Sequence, residues 1–171
     1  MKYIELQEAF NNKRDKWNNY QSELVNSFSK IINSFIAYLD IQEPNRLIKL
    51  TPIDRSKSKD GSNYTVMGAM NFEDNGWASL GLILTLERSK NSYQKTDYIF
   101  NFFLKKKDSI WLIKGFRDGP EIELSSDINE DSLNTFNDHI SESFHKSITR
   151  GVDEWLMESE NHLIGFYQED K

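Results

Sequence analysis

The sequence predicts an α+β fold: N-terminal helices, a bent antiparallel meander of five to six strands, and a long C-terminal helix packed on the sheet. Apolar residues recur every three or four positions from Leu6 to Leu39. Short β-rich segments separated by turn residues follow, and helical spacing returns after Leu133. Runs of strands flanked by runs of helices are typical of this class. The length, 171 residues, fits a single domain over 1–171.

The first helical segment carries one apolar stripe, formed by Phe10, Trp17, Tyr20, Leu24, Phe28, Ile31, Phe35 and Leu39. A polar cluster at 11–16 leaves two alternatives open, one continuous helix or a short helix before a longer one. Glu43, Pro44 and Asn45 are expected to end the segment, because a residue before proline is biased out of the α region.

The predicted strands are 46–53, 64–73, 77–87, 97–106, 110–116 and 121–124. Asp74, Asn75 and Gly76 predict a hairpin, because Asn and Gly tolerate the positive φ of tight turns. Gly68, Gly81 and Gly115 fall inside predicted strands. Each could mark a bulge, a bend of the sheet or a close backbone approach, and we interpret them as points where the sheet bends, with contact to a ligand as the alternative.

The C-terminal helix is the clearest element of the sequence. Capping residues lie within 125–131, and acidic Glu130 and Asp131 suit the positive end of a helix. One face carries the apolar set Leu133, Phe136, Ile140, Phe144, Ile148, Val152 and Trp155. Gly151 either kinks or closes the helix, and 162–171 forms an extra strand or a tail.

Large apolar residues alternate onto both faces of the predicted sheet. A sheet with one solvated face would alternate more cleanly between apolar and polar groups. The apolar side chains on both faces must therefore be shielded from water. The chain's own helices or a partner could cover them, or they could line an enclosed pocket. We expect the helices to leave part of the second face uncovered, because exposed apolar patches of several hundred Å² usually mark interaction sites.

Charge is distributed unevenly along the chain. Residues 46–117 hold 13 basic and 7 acidic groups, while residues 118–171 hold 3 basic and 14 acidic groups. Either the acidic region lies near the basic sheet and the two fields partly cancel, or one patch faces a charged partner. The sequence leaves both alternatives open.

Several kinds of chemistry lack support in the sequence. The chain has no cysteine, and its three histidines lack metal-ligand spacing, so neither a metal nor a cofactor is predicted. No stretch approaches the roughly 20 apolar residues of a membrane span. We expect no membrane association and a cytoplasmic location.

The stretch DYIFNFFLKKKDSIWLIKGF, residues 97–116, resembles the closing hairpin of nuclear-transport-factor-like domains. A long acidic helix follows the sheet here, whereas the last strands close the fold in that superfamily. The resemblance therefore implies neither a pocket nor a catalytic acid for this chain.

We hypothesise that the protein is a non-enzymatic bacterial interaction module, of the immunity, antitoxin or accessory-subunit kind. Its partner would be another protein or a second copy in a homodimer. Trp77, Phe103 and Trp111 would be the anchors, because aromatic residues tend to dominate binding energy. The charge contacts would be four acids that gather where the helix dipole disfavours them, Asp153, Glu154, Glu158 and Glu160.

Two alternatives accompany this hypothesis. A small-molecule binder or enzyme would place Tyr64, Asn101 and His139 in a pocket between the curved sheet and the C-terminal helix. A single-stranded nucleic-acid surface would use Lys105, Lys106 and Lys107. A sequence pI of about 5.1 makes nucleic acid the less expected partner.

Replacing Asp153, Glu154, Glu158 and Glu160 together by Lys is expected to abolish capture of a partner that uses the charge contacts. Because the four acids are predicted to be solvated, the thermal unfolding midpoint should stay near that of the unmodified chain. Affinity capture followed by mass spectrometry, beside a thermal melt, measures both effects. Unchanged capture would remove these acids from the interface.

Overall fold

The computed structural model describes residues 1–54, 56, 63–156 and 168–170. Two long helices, α1 (Tyr3–Tyr38) and α4 (Glu130–Leu156), precede and follow most of the strands. Two short helices, α2 (Pro44–Leu47) and α3 (Val66–Ala69), lie among the first strands. The strands are β1 (Ile48–Thr51), β2 (Asn71–Phe72), β3 (Ala78–Glu87), β4 (Lys95–Lys107), β5 (Ile110–Lys114), β6 (Ile122–Leu124) and β7 (Gln168–Asp170).

The described strands form one antiparallel sheet. Its order is β1-β3-β4-β5-β6, with β2 paired to β3 and β7 paired to β4. The longest ladder joins β3 to β4, from Ala78 opposite Leu104 to Glu87 opposite Lys95. The predicted α+β class, with helices at both ends of an antiparallel meander, is confirmed.

Helix α1 is continuous over 36 residues, so the polar cluster at 11–16 does not interrupt it. That cluster contains neither proline nor glycine, the residues that disfavour a helix interior most. The helix ends at Tyr38, and Asp40 then adopts a φ of 50°. The prediction that Pro44 ends the segment is wrong. Pro44 starts α2, where its missing N–H needs no partner.

The hairpin predicted at residues 74–76 is present between β2 and β3. Asn75 and Gly76 have φ values of 61° and 80°, as the turn requires. The strand before it is shorter than predicted, because the Thr65 hydroxyl accepts a hydrogen bond from the Gly68 amide (3.1 Å) and caps α3. Residues 66–69 are therefore helical, and Gly68 lies in no strand.

Gly81 and Gly115 allow close packing. A Cβ at Gly115 would lie 1.9 Å from Cδ1 of Ile140, so only glycine lets α4 approach the end of β5 this closely. A Cβ at Gly81 would lie 2.9 Å from Cγ2 of Thr51 on the neighbouring strand. At Gly115 the close neighbour is a side chain, whereas at Gly81 the Thr51 carbonyl also lies 3.1 Å from such a Cβ; bending of the sheet at these positions stays a prediction.

Both long helices pack on the same face of the sheet, which we call the first face. The ring of Phe35 in α1 lies 5.3 Å from the ring of Phe100 and 5.8 Å from that of Phe102. From α4, Phe136 lies 5.8 Å from Phe102, and Phe144 lies 4.8 Å from Phe100. The helices therefore share one layer of aromatic rings and do not divide between the two faces.

The two helices run side by side in the same direction. The Asn137 amide donates to the Ser34 hydroxyl (2.9 Å), and one turn further along α1 the Tyr38 hydroxyl donates to the Asp138 carboxylate (2.5 Å). Helix α4 begins after Asn129, whose side-chain oxygen accepts from the Ser132 amide (3.0 Å), within the predicted capping region. It continues without a break through Gly151 to Leu156.

Replacing Phe102 by Ala is expected to destabilise the fold by about 3–5 kcal/mol, because the ring is fully buried between both helices. Urea unfolding followed by circular dichroism measures this loss. Tyr93→Ala is the matched control, since Tyr93 is fully exposed and should change the free energy of unfolding by less than about 0.5 kcal/mol. Equal losses in both variants would contradict the shared aromatic layer.

Candidate partner-binding site

The face of the sheet opposite the two long helices, which we call the second face, is mixed in character. Its apolar members Ile99, Phe103 and Leu112 are at most 9% exposed. The strand registers place polar residues between them, namely Ser79, Thr85, Asp97 and Asn101. Ile83 and Ile110 on the same face are half-buried, and both long helices lie on the first face, so the expectation that the helices leave part of the second face uncovered stays a prediction. The alternation of apolar and polar residues along a strand does not show whether a long polar side chain lies across an apolar neighbour, as Lys114 and Arg117 do at Phe103.

Five residues on and beside the second face form what we call the aromatic–cation cluster: Trp77, Phe103, Lys105, Lys114 and Arg117. The Lys114 ammonium lies 4.3 Å from the centre of the Trp77 ring and 5.5 Å from that of Phe103. Lys105 lies 5.8 Å from Trp77, and Arg117 lies 5.3 Å from Phe103. Each cation is thus within reach of a cation–π interaction, of about 0.5–1 kcal/mol at exposed sites.

Local structure positions each member of the cluster. The positive-φ turn at Asn75 and Gly76 leads directly into Trp77. The β4–β5 register sets Phe103 opposite Lys114, because Asp108 turns the chain with a φ of 55°. The Lys114 ammonium donates to the backbone carbonyl of Arg117 (2.9 Å), which fixes the bend after β5.

The cluster has a net positive charge. Its nearest acidic group in the described ion pairs is Glu73, whose carboxylate lies 3.7 Å from Arg117 and accepts a hydrogen bond from Ser79 (2.6 Å). In the described ion pairs, Glu73 is thus the carboxylate partner of the cluster, and the register also places Glu123 on the same face, beside Leu112. The Arg117 side chain is 64% exposed, so solvent or a partner can reach it.

The structure places the other predicted anchor and two of the three lysines elsewhere. Trp111 lies on the first face and is 4% exposed. Lys106 pairs with Glu23 of α1 (2.6 Å) and lies 5.7 Å from the Trp111 ring. Lys107 is exposed at the end of β4. Of the predicted residues, Trp77, Phe103 and Lys105 come together, while Trp111, Lys106 and Lys107 do not join them.

The three predicted pocket residues do not converge. Asn101 lies on the second face opposite Gly81, whereas His139 belongs to α4, which packs on the first face. Tyr64 borders a separate depression of about 180 Å³ beside Ile32 and Leu50. A larger, open depression of about 500 Å³ lies at the far end of the β3–β4 ladder, beside Tyr93.

An ion-pair network at that far end joins α2 to the β3–β4 hairpin. Arg46 bonds both Glu43 (2.6 Å) and Glu87, while Lys95 contacts Glu87 (3.1 Å) and Lys90 contacts Glu43 (3.2 Å). Hydrogen bonds from Arg46 are the main cause that lowers the pKa of both carboxyl groups. The same two bonds raise the pKa of Arg46. This network holds the fold together at the end of the sheet away from the aromatic–cation cluster.

Two of the four predicted acidic contacts, Asp153 and Glu154, belong to the part of α4 that advances toward that same far end. Along α4, Phe136 contacts Phe102 and Phe144 contacts Tyr98, so the helix advances away from Lys105. Asp153 and Glu154 belong to the final turns of α4, and Glu158 and Glu160 lie outside the described residues. The end of α4 that contains Asp153 and Glu154 therefore lies away from the aromatic–cation cluster.

Sequence reasoning missed Lys114, Arg117 and Glu73. A signal for Lys114 was available, because a two-residue turn at Asp108 and Ser109 places Phe103 opposite Lys114 by counting alone. Arg117 and Glu73 lie in irregular segments on either side of strands. Only the assembled sheet brings those two segments together.

Comparison of the chain with protein-family models, curated proteins and solved structures finds no match. In the part of the chain that the structure describes, no three His, Asp or Glu side chains are grouped as a metal site would require. None of the described helices has the length and apolar content needed to cross a bilayer.

The Arg46 network is expected to make stability depend on pH. Because the folded pKa values of Glu43 and Glu87 are lowered, their contribution is present above their ordinary pKa of 4.5 and is lost as pH falls through the lowered values. Urea midpoints measured from about pH 7 to about pH 2.5 should therefore fall below about pH 4.5.

Arg46→Met should flatten that fall. Arg88→Met is the matched control, because Arg88 bonds the neutral Gln94 (3.2 Å). A pH dependence in Arg46→Met equal to that of the unmodified protein would show that the network does not cause it.

Proposed function

We propose that the protein is a non-enzymatic interaction module, of the immunity, antitoxin or accessory-subunit kind, that binds an acidic segment of a protein partner at the aromatic–cation cluster. The observation that carries the proposal is the position of Lys114 between Trp77 and Phe103, with Lys105 and Arg117 beside the same rings. Complementary charge raises the rate and specificity of association.

The members of the cluster have different roles in this proposal. Phe103 is 3% exposed, so it would make little direct contact with the partner. Its ring instead packs against the Lys114 and Arg117 side chains. Trp77 is half-buried and is the aromatic anchor that a partner can reach. Lys105, Lys114 and Arg117 would bond the carboxylates of the partner, with Arg117 able to form two parallel hydrogen bonds.

A protein partner fits this surface better than a single-stranded nucleic acid. Nucleic-acid surfaces of that kind stack bases on open aromatic faces. Here the faces of Trp77 and Phe103 carry cations, and Phe103 is buried.

The acidic end of α4 would form a second contact. Asp153, Glu154, Glu158 and Glu160 would meet a basic region of the same partner, and α4 advances toward the opposite end of the sheet from the cluster. A partner with acidic and basic regions on one surface would then dock in a single orientation. The small-molecule alternative has less support, since Tyr64, Asn101 and His139 lie apart.

An acidic peptide of eight glutamates around one tyrosine is a suitable probe of the cluster. When the peptide is titrated into ¹⁵N-labelled protein, the NMR signal of the Trp77 indole N–H is expected to shift. The variant Trp77→Phe assigns that signal. The shift should be smaller at high salt, because salt screens the charges. Lys114→Gln should weaken binding by about tenfold, because it removes the cation shared by both rings.

Lys49→Gln is the matched control, since Lys49 is half-exposed on the same face of the sheet, in β1. An oligothymidylate of fifteen nucleotides is titrated in parallel. Tighter binding of the oligonucleotide at Trp77 would replace the proposal with a nucleic-acid function. If neither probe moves the Trp77 signal, the cluster does not bind acidic partners.

A further inference from the structure

The first half of α1 extends beyond the rest of the described molecule. Every side chain of residues 1–19 is exposed, whereas Leu24, Phe28 and Phe35 further along α1 are fully buried. We call residues 3–19 the N-terminal arm. At 1.5 Å per residue it is about 25 Å long.

The N-terminal arm carries an exposed apolar stripe. Tyr3, Leu6, Phe10 and Trp17 are 78%, 53%, 62% and 47% exposed. Their spacings of three, four and seven continue the same helix face that Leu24 and the following core residues bury on the sheet. The face that builds the core thus continues along a segment that the rest of the described chain leaves exposed, apart from the contact of Phe72 with Trp17 at its base.

Contacts at its base fix the direction of the arm. The Trp17 ring lies 4.7 Å from Phe72, and the Tyr20 hydroxyl donates to the carbonyl of Gly76 (3.4 Å). An isolated helix of this length is only marginally stable in water. A partner that covers the stripe would stabilise the helix and remove apolar surface from solvent.

We propose that this partner is a second copy of the same chain, paired with the first through antiparallel N-terminal arms. The inference concerns a different surface from the aromatic–cation cluster and stands independently of it. A two-fold axis beside Phe10 would set each Phe10 against its counterpart. Trp17 of one copy would then lie level with Tyr3 of the other.

Charge complementarity favours the antiparallel arrangement. Glu5 and Lys16 are eleven residues apart, which is about 20° more than three full helical turns, so both lie along one edge of the stripe. In antiparallel arms that meet at Phe10, Glu5 of each copy lies level with Lys16 of the other. A parallel pair in register would instead place Lys13 beside Lys13 at the seam, which is unfavourable.

The apolar area available suits a moderate affinity. Aromatic side chains bury about 150–250 Å² each, so the partly exposed residues of two stripes would remove roughly 1,000 Å² in total. That is near the lower limit for specific interfaces. We therefore expect a dimer that forms in the micromolar range and dissociates on dilution.

Sedimentation velocity of the full chain over about 1–300 µM tests the proposal. The unmodified protein should shift from monomer to dimer, and Phe10→Gln should raise the dissociation constant by about tenfold or more while leaving the thermal midpoint of the monomer unchanged. Glu5→Lys and Lys16→Glu should each weaken the dimer. The Glu5 carboxylate also accepts a hydrogen bond from the Lys2 amide (3.1 Å) at the start of α1. The double variant E5K/K16E should restore the dimer, a result that loss of this hydrogen bond could not produce.

Glu8→Lys is the matched control, because Glu8 lies on the side of the helix opposite the stripe and should leave dimerisation unchanged. Hydrogen exchange of the arm amides should slow as concentration rises. A monomer at every concentration would overturn the proposal, as would arm protection that appears only with anionic phospholipid vesicles. Because Trp77 and Lys114 are unaltered in these variants, the peptide titration at the cluster succeeds or fails separately.

Discussion

The structure depends on one layer of aromatic rings between the sheet and its two long helices. The rings of Phe100 and Phe102 on β4 pack against rings from both helices. These are Phe35 of α1 and Phe136 and Phe144 of α4. Because both helices bury their apolar stripes against these rings, they must lie on the same face. Because both helices lie on the first face, shorter segments and long basic side chains lie on the second face, and the aromatic–cation cluster can form there.

The same layer explains the N-terminal arm. A helix of 36 residues is about 54 Å long, whereas β4, the longest strand, spans about 44 Å and the five-strand path is narrower still. With Phe35 held near the centre of the sheet, the opposite end of α1 has to extend past it. The arm is a consequence of where the helix is anchored, and its apolar stripe makes it a surface for assembly.

Basic and acidic groups occur at both ends of the sheet. The aromatic–cation cluster lies where β4 meets β5, and α4 runs from there toward the other end, where Arg46 already pairs with Glu43 and Glu87. The end of α4 at Leu156 and the aromatic–cation cluster therefore lie toward opposite ends of the sheet, whereas the acidic Glu130 and Asp131 lie in the first turn of α4.

The sequence by itself determined the two long helices and the hairpin, because their signals are local: a period of three to four for α1 and α4, and Asn75 and Gly76 for the hairpin. Among its candidate residues, Trp77, Phe103 and Lys105 lie together in the structure, and the sequence could not separate them from Trp111. Tertiary structure decided which face each helix covers, that Trp77 and Trp111 lie on opposite faces, and that Arg117 reaches Phe103. Those outcomes depend on contacts between residues far apart in the chain, which periodicity and turn chemistry do not specify.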